Sequence, residues 1–150
     1  MIEYRIATTE DIELMMSSRL HMLRFINHLS EDYAYGDDFV GMSRRYFLEG
    51  DQTTVLALEG ERVVGCASIS YYTIMPTFSH PTGRRAHMMN VFTEEAYRRR
   101  GIALHMVNTL IEDAWRRGAT EISLDATEAG RPLYVKCGFR ESGECMVLTK

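Results

Sequence analysis

The stretch from Asn90 to Ala103 constrains this chain most. An apolar, β-branched run stops, three consecutive arginines follow (Arg98, Arg99, Arg100), and Gly101 opens a long amphipathic segment. The first turn of a helix carries unpaired N–H groups and a partial positive charge of about half an elementary charge. Such an end binds phosphates directly, and guanidinium groups beside it make it selective for anions. Gly101 lets backbone approach an anion with no Cβ in the way, and Ala103 is small enough for the same purpose. The helix predicted from Gly101 to Arg117 sets Ala103, Val107, Leu110, Ile111 and Ala114 on one side. Arg116 and Arg117 complement its dipole at the far end, and Gly118 supplies a left-handed stop.

The segments around this one alternate in type. Ile2 to Ala7 reads as a first strand. Thr8 with Asp11 forms a capping box that opens a helix running to about Asn27, with Ile12, Met16, Leu20 and Leu23 as its stripe. A polar, aromatic stretch from Ser30 to Asp38 precedes a short helix, Phe39 to Leu48. Thr54 to Glu59 and Arg62 to Tyr72 form a hairpin about Gly60. Met75 to Arg85 contains two prolines and a glycine and reads as a loop. His87 to Thr93 is a fourth strand and Glu121 to Ala126 a fifth. A short helix runs from about Gly130 to Cys137, stopped by Gly138, and Phe139 to Leu148 is expected to add one or two final strands. Antiparallel hairpins followed by a βαβ unit predict an α/β fold with a mixed, mostly antiparallel central sheet and helices on both faces.

The composition suits one domain over residues 1–150, with 45% hydrophobic and 25% charged residues. A net charge of −4, from 17 basic and 21 acidic residues, weighs against nucleic acid as a partner, because phosphate neutralisation drives that affinity. No run approaches the ~20 apolar residues of a membrane span. No basic stretch and apolar core opens the chain, so the expected location is the cytoplasm. Cys66, Cys137 and Cys145 lack metal-like spacing and are expected to be buried free thiols, with no metal bound. Met75, Met88 and Met89 are candidates to line a pocket.

Arg98-x-x-Gly101-x-Ala103 resembles the acyl-CoA pyrophosphate loop of the GNAT N-acetyltransferases, Gln/Arg-x-x-Gly-x-Gly/Ala, placed after the fourth strand and before the central helix. Leu133-Tyr134-x-x-x-Gly138-Phe139 is similar to a second family pattern after the fifth strand. The resemblance implies a GNAT fold with acetyl-CoA as cosubstrate. It implies that N–H groups of Arg99, Arg100, Gly101, Ile102 and Ala103 cradle the pyrophosphate beside Arg98. It also implies that backbone of Val91, Phe92 and Thr93 meets the pantetheine arm like an added strand. Tyr134 maps onto the tyrosine that protonates the departing CoA thiolate. Two positions depart from the pattern: Thr127 stands where the family often has asparagine, and Gly130 where it often has alanine. Arg131, next to Pro132, is a further candidate for a CoA phosphate or an acceptor carboxylate.

Amine acetylation requires a neutral amine, and a lysine-like amine has a pKa of ~10.4 in water. A base, a water chain or desolvation must remove its proton. His87 falls, counting back from Arg98, where some family members place a catalytic glutamate; Glu128 is a second candidate. The expected activity is direct acetyl transfer within a ternary complex to an amine-bearing small molecule or peptide. The alternative is a GNAT-like module that binds acyl-CoA without turnover, and a homodimer is compatible with either. The resemblance places the acceptor between the first helices and the loop before the fourth strand. Those regions here offer Tyr33, Tyr35, Asp37, Asp38, Tyr71, Tyr72, Phe78 and His80, a set that would suit a cation.

Overall fold

The computed structural model describes all 150 residues. Strand β1 (Glu3–Ile6) leads into helices α1 (Ile12–Ile26) and α2 (Asp37–Glu49). Strands β2 (Gln52–Glu59), β3 (Arg62–Thr73) and β4 (Arg84–Thr93) follow, then α3 (Ile102–Arg116), β5 (Ile122–Leu124) and α4 (Arg131–Lys136). One sheet holds the strands in the order β1-β2-β3-β4-β5. The first four are antiparallel and β5 runs parallel to β4.

Helices cover both faces of the sheet, so its central strands read as nearly continuous apolar runs. Period two still sorts the side chains. Val55 and Ala57 of β2 pack towards α3 with Ile69, Met88, Met106 and Leu110. Leu56 and Leu58 point the other way, onto Met15, Met16, Met22 and Phe47 of α1 and α2. Leu110 is fully buried, and its truncation to alanine is expected to cost about 2–5 kcal/mol. The capping box at Thr8 forms as its sequence requires, with Thr8 N–H donating to Asp11 Oδ2 at 2.9 Å. Arg5 pairs with the same carboxylate at 2.8 Å. Burial alone would raise the Asp11 pKa, but the Thr8 and Arg5 contacts outweigh it and hold the carboxyl below its usual value.

Several expectations are corrected. The segment from Phe139 to Leu148 forms no strand, and Met146, Val147 and Leu148 are exposed. A strand needs a partner edge, and β5 presents only three residues. Strand β4 begins at Arg84, so His87 sits within it rather than at its start, and α2 begins at Asp37. Of the three cysteines only Cys66 is buried; Cys137 is half-buried and Cys145 exposed. No helix is long and apolar enough to cross a membrane.

Candidate active site

The turn between β4 and α3 winds through a short 3-10 segment, Glu95–Tyr97, into two left-handed residues, Arg99 (φ 63°) and Gly101 (φ 79°). The first helical bond of α3 runs from His105 N–H to the Gly101 carbonyl at 3.0 Å. Every N–H from Arg99 to Leu104 is left without a hydrogen-bond partner in the protein. Nothing lies within 4 Å of where a Cβ on Gly101 would stand, so the turn faces open space. Ile102, 2% exposed, anchors the helix start in the core beneath it.

The three arginines divide their work. Arg98 turns back on β4: its Nε donates to the Thr93 carbonyl at 3.0 Å, and its guanidinium lies 5.2 Å from the Phe25 ring and 5.9 Å from Phe92. Its Nε thus ties the loop to β4, while the residue stays exposed. Arg100 lies over the Tyr97 ring at 5.2 Å, and the Tyr97 hydroxyl donates to Glu59. Arg99 and Arg100 are exposed, form no ion pair, and flank the open amides.

Strands β4 and β5 pair only at Ala86–Ile122, His87–Ser123 and Met88–Leu124. Beyond Met88 they part, and β4 continues to Thr93 with no neighbour on that side. A β-bulge on β4 falls in the same place. Cys66 pairs with Phe92 and Ser68 with Met89, so Asn90 and Val91 both face Ala67. Asn90 accepts the left-handed conformation this requires (φ 59°), as asparagine does more readily than most residues. Its Nδ2 donates to Ser68 Oγ at 3.3 Å, and its Oδ1 accepts from Arg19 Nη1 at 3.1 Å. Val91 and Thr93 thus lie on an open strand edge, Phe92 packs towards α1, and Thr93 Oγ1 is buried with no partner.

Helix α4 holds Tyr134, half-buried against Phe139 with ring centroids 5.9 Å apart. Its hydroxyl forms no hydrogen bond within the protein. Burial, with the Cys137 thiol adding to it, pushes the phenol pKa up, so it stays protonated at neutral pH. A Cβ on Gly130 would come within 3.2 Å of Thr127 Oγ1 and Tyr134 Cε2, so glycine keeps this turn tight. Thr127 is occupied in the same turn, with Oγ1 accepting from Gly130 N–H at 3.1 Å. Arg131 is paired with Glu141 of the tail. His87 shares a sheet face with Ser70 and Met89. Its Nδ1 is 2.7 Å from Ser123 Oγ, and its Nε2 faces Asp125 Oδ2 at 3.8 Å. Glu128 is exposed in the loop before α4.

The sequence profile of the acetyltransferase (GNAT) family matches residues 20–139. The chain belongs to the GNAT acetyltransferase family. Among solved structures, a predicted acetyltransferase from Clostridium acetobutylicum, crystallised with acetyl-CoA, is 28% identical. The match covers 99% of this chain and 96% of that one, with a TM-score of 0.85. A GCN5-related N-acetyltransferase from Ralstonia eutropha JMP134 is 23% identical over 99% of both chains, with a TM-score of 0.81. An aminoglycoside acetyltransferase from an uncultured soil metagenomic sample shares the fold at 20% identity, covering 100% of this chain and 99% of that one, with a TM-score of 0.73. No curated protein sequence matches the chain.

The residues of this GNAT domain fit its family's cosubstrate. Open amides at a helix N-terminus suit a diphosphate, and an unpaired strand edge suits an amide-bearing arm. On the opposite face of β4, between α1 and α2, lies a pocket of about 220 Å³. Arg19, Phe39, Met42, Tyr46, Met89 and Asn90 line it. Of the methionines singled out in the sequence, Met89 reaches this pocket, Met88 is core and Met75 is exposed. The cation-binding aromatic set does not assemble. Tyr71 points to the α3 face and donates to Asp113 at 2.5 Å, and His80 bonds Thr120 at 2.9 Å. Arg19 and Asn90, which sequence reasoning missed, line the pocket beside α2 instead. Nothing local marks them, because their bond spans 71 residues.

Proposed function

We propose that the whole chain, residues 1–150, works as one domain that moves the acetyl group of acetyl-CoA to an amine by direct attack within a ternary complex. The observation that carries the reading is the unpartnered N–H run from Arg99 to Leu104, set beside the parted strands β4 and β5. When bound, acetyl-CoA supplies the acetyl group as an activated thioester. In this reading the loop amides donate to the pyrophosphate, and Arg99 and Arg100 add positive charge. The open edge of β4, at Val91 and Thr93, holds the pantetheine arm. A β4 N–H donates to the carbonyl oxygen as negative charge develops there. His87 takes the amine proton, directly or through one water, and Tyr134 gives its proton to the leaving thiolate. Thr127, Gly130 and Arg131 shape the α4 turn that carries Tyr134.

Release of CoA, followed with and without a panel of amines and with mass detection of the acetylated product, tests this. Amine-dependent release with matching product supports transfer. Tight acetyl-CoA binding with no amine-dependent release would make the chain a binding module.

A further inference from the structure

Arg19 is half-buried on α1 and forms no ion pair with any carboxylate. Burial holds its guanidinium below the ordinary arginine value, and the groups that counter this, Cys66, Tyr46 and Tyr35, are weak acids with no carboxylate among them. Of its five N–H donors, one is used, on Asn90 Oδ1 at 3.1 Å. Asn90 is itself fixed through Ser68, whose hydroxyl is shared with Thr54 at 2.7 Å. The guanidinium is thus held in place while most of its donors are free, and it borders the pocket that abuts the β4 bulge. The Tyr35 hydroxyl, buried and without a partner, is close enough to Arg19 to act on its ionisation. A desolvated cation with no counter-ion is costly, and an anionic ligand would remove that cost.

We propose that the acceptor is a small amine bearing a carboxylate, an α-amino acid with an apolar side chain, and that Arg19 binds its carboxylate. This rests on the acetyltransferase reading above. One guanidinium balances one negative charge, which favours a carboxylate over a phosphate monoester at ~−1.5 to −2. Arginine's planar fork also matches a carboxylate bidentately. Phe39, Met42, Phe47 and Met89 make much of the remaining wall apolar, beside Ser43 and Ser68, which suits an aliphatic or aromatic side chain. At about 220 Å³ the pocket is smaller than the ~300–1,000 Å³ typical of drug-sized ligands, so it takes a single residue rather than an oligosaccharide. Polycations such as aminoglycosides or polyamines would meet a positive charge there.

The test compares L-leucine, L-methionine and L-phenylalanine with their decarboxylated amines, and with spermidine and an aminoglycoside, by CoA release. Wild type, Arg19→Gln and Arg19→Lys are run together, and binding of each amino acid to the CoA-loaded protein is measured by calorimetry. The carboxylated amines are expected to have the higher kcat/KM. Arg19→Gln should lower it by about 30-fold or more, mainly through KM, which is the low end for truncating one partner of a hydrogen-bonded charge pair. Arg19→Lys should recover part of the loss, and acetyl-CoA affinity should be unchanged in both variants. The wild-type ratio stands even if Arg19→Gln fails to fold. Equal or faster reaction of the decarboxylated amines overturns the proposal but leaves acetyl transfer intact. An unchanged ratio in folded Arg19→Gln, or neither turnover nor binding for every amino acid while acetyl-CoA still binds, overturns it too. Failure to bind acetyl-CoA at all would instead remove the acetyltransferase reading.

Discussion

Replacing Gly101 by glutamate strikes the site where backbone is expected to meet pyrophosphate. In the free protein the cost is conformational: φ is 79°, and a side chain in that region costs roughly 1–2 kcal/mol. No clash adds to it, because nothing lies within 4 Å of the new Cβ. The protein should therefore fold, with lower stability. With a bound phosphate taken to lie roughly 5 Å from the glutamate charge, the repulsion follows from distance and dielectric. Coulomb's law gives roughly 0.8 kcal/mol per phosphate charge at water's dielectric and about 3 kcal/mol at an effective value near 20. Affinity for CoA should fall between about 4-fold and 160-fold for each such charge, before the loss of amide contacts. Arg100→Ala removes one exposed cation that rests on Tyr97, worth at most about 1 kcal/mol, or about 5-fold. Calorimetric titration of CoA into both variants and into Gly101→Ala, at one ionic strength, gives the comparison. Equal affinities for folded Gly101→Glu and Arg100→Ala would show that Gly101 does not face the phosphates.

Tyr134→Phe should lower kcat by roughly 10²–10⁴-fold and leave acetyl-CoA binding nearly unchanged, since only the unbonded hydroxyl is lost; an unaltered kcat with chemistry limiting would remove the phenol from the mechanism. His87→Gln should reduce the rate and abolish its acidic limb, because the glutamine cannot take a proton; a limb that survives and follows the pKa of the acceptor amine would make His87 structural. Asp113→Asn weakens a buried knot. Burial alone would raise the Asp113 pKa, but hydrogen bonds from Tyr71, Thr53 and Arg116 and the charge of Arg117 hold it below its usual value. Asp113 and Asp11 both have depressed folded values, so their stabilisation is complete above an unfolded value of about 3.9 and is lost as pH falls through the folded values. The variant should lose about 1–3 kcal/mol at pH 7 and less in acid, where wild type loses the same interaction. Thermal melts at pH 7 and pH 3 test this; an equal loss at both would refute it.

The parts of the site that were legible in the sequence are local. Arg98 to Ala103 is a strand-loop-helix turn whose conformation follows from neighbouring residues, and Leu133 to Phe139 is a single helical turn with its stop. Both form where they were expected. What was missed depends on contacts distant in sequence. The bulge at Asn90 appears only when β3 sets the register, and Arg19 becomes a half-buried cation only when α1 lies across that bulge. Arg98 could not be told from Arg99 by type; the rings of Phe25 and Phe92 hold its guanidinium against the surface. Tyr71 and Tyr72 look alike in sequence, but alternation buries the first against Asp113 and exposes the second. The tail failed for the matching reason: its apolar residues suit a strand, and no long edge is there to receive them.

The central claim is that the open amides of the β4–α3 turn bind the pyrophosphate of CoA. At 17.2 kDa the chain is small enough for a ¹⁵N–¹H spectrum to resolve these amides one by one during a titration with CoA. The largest shifts should fall on the N–H groups from Arg99 to Leu104, with further shifts at Val91 and Thr93 along the open edge of β4. Saturable binding that moves other amides and leaves Arg99 to Leu104 in place would contradict the account.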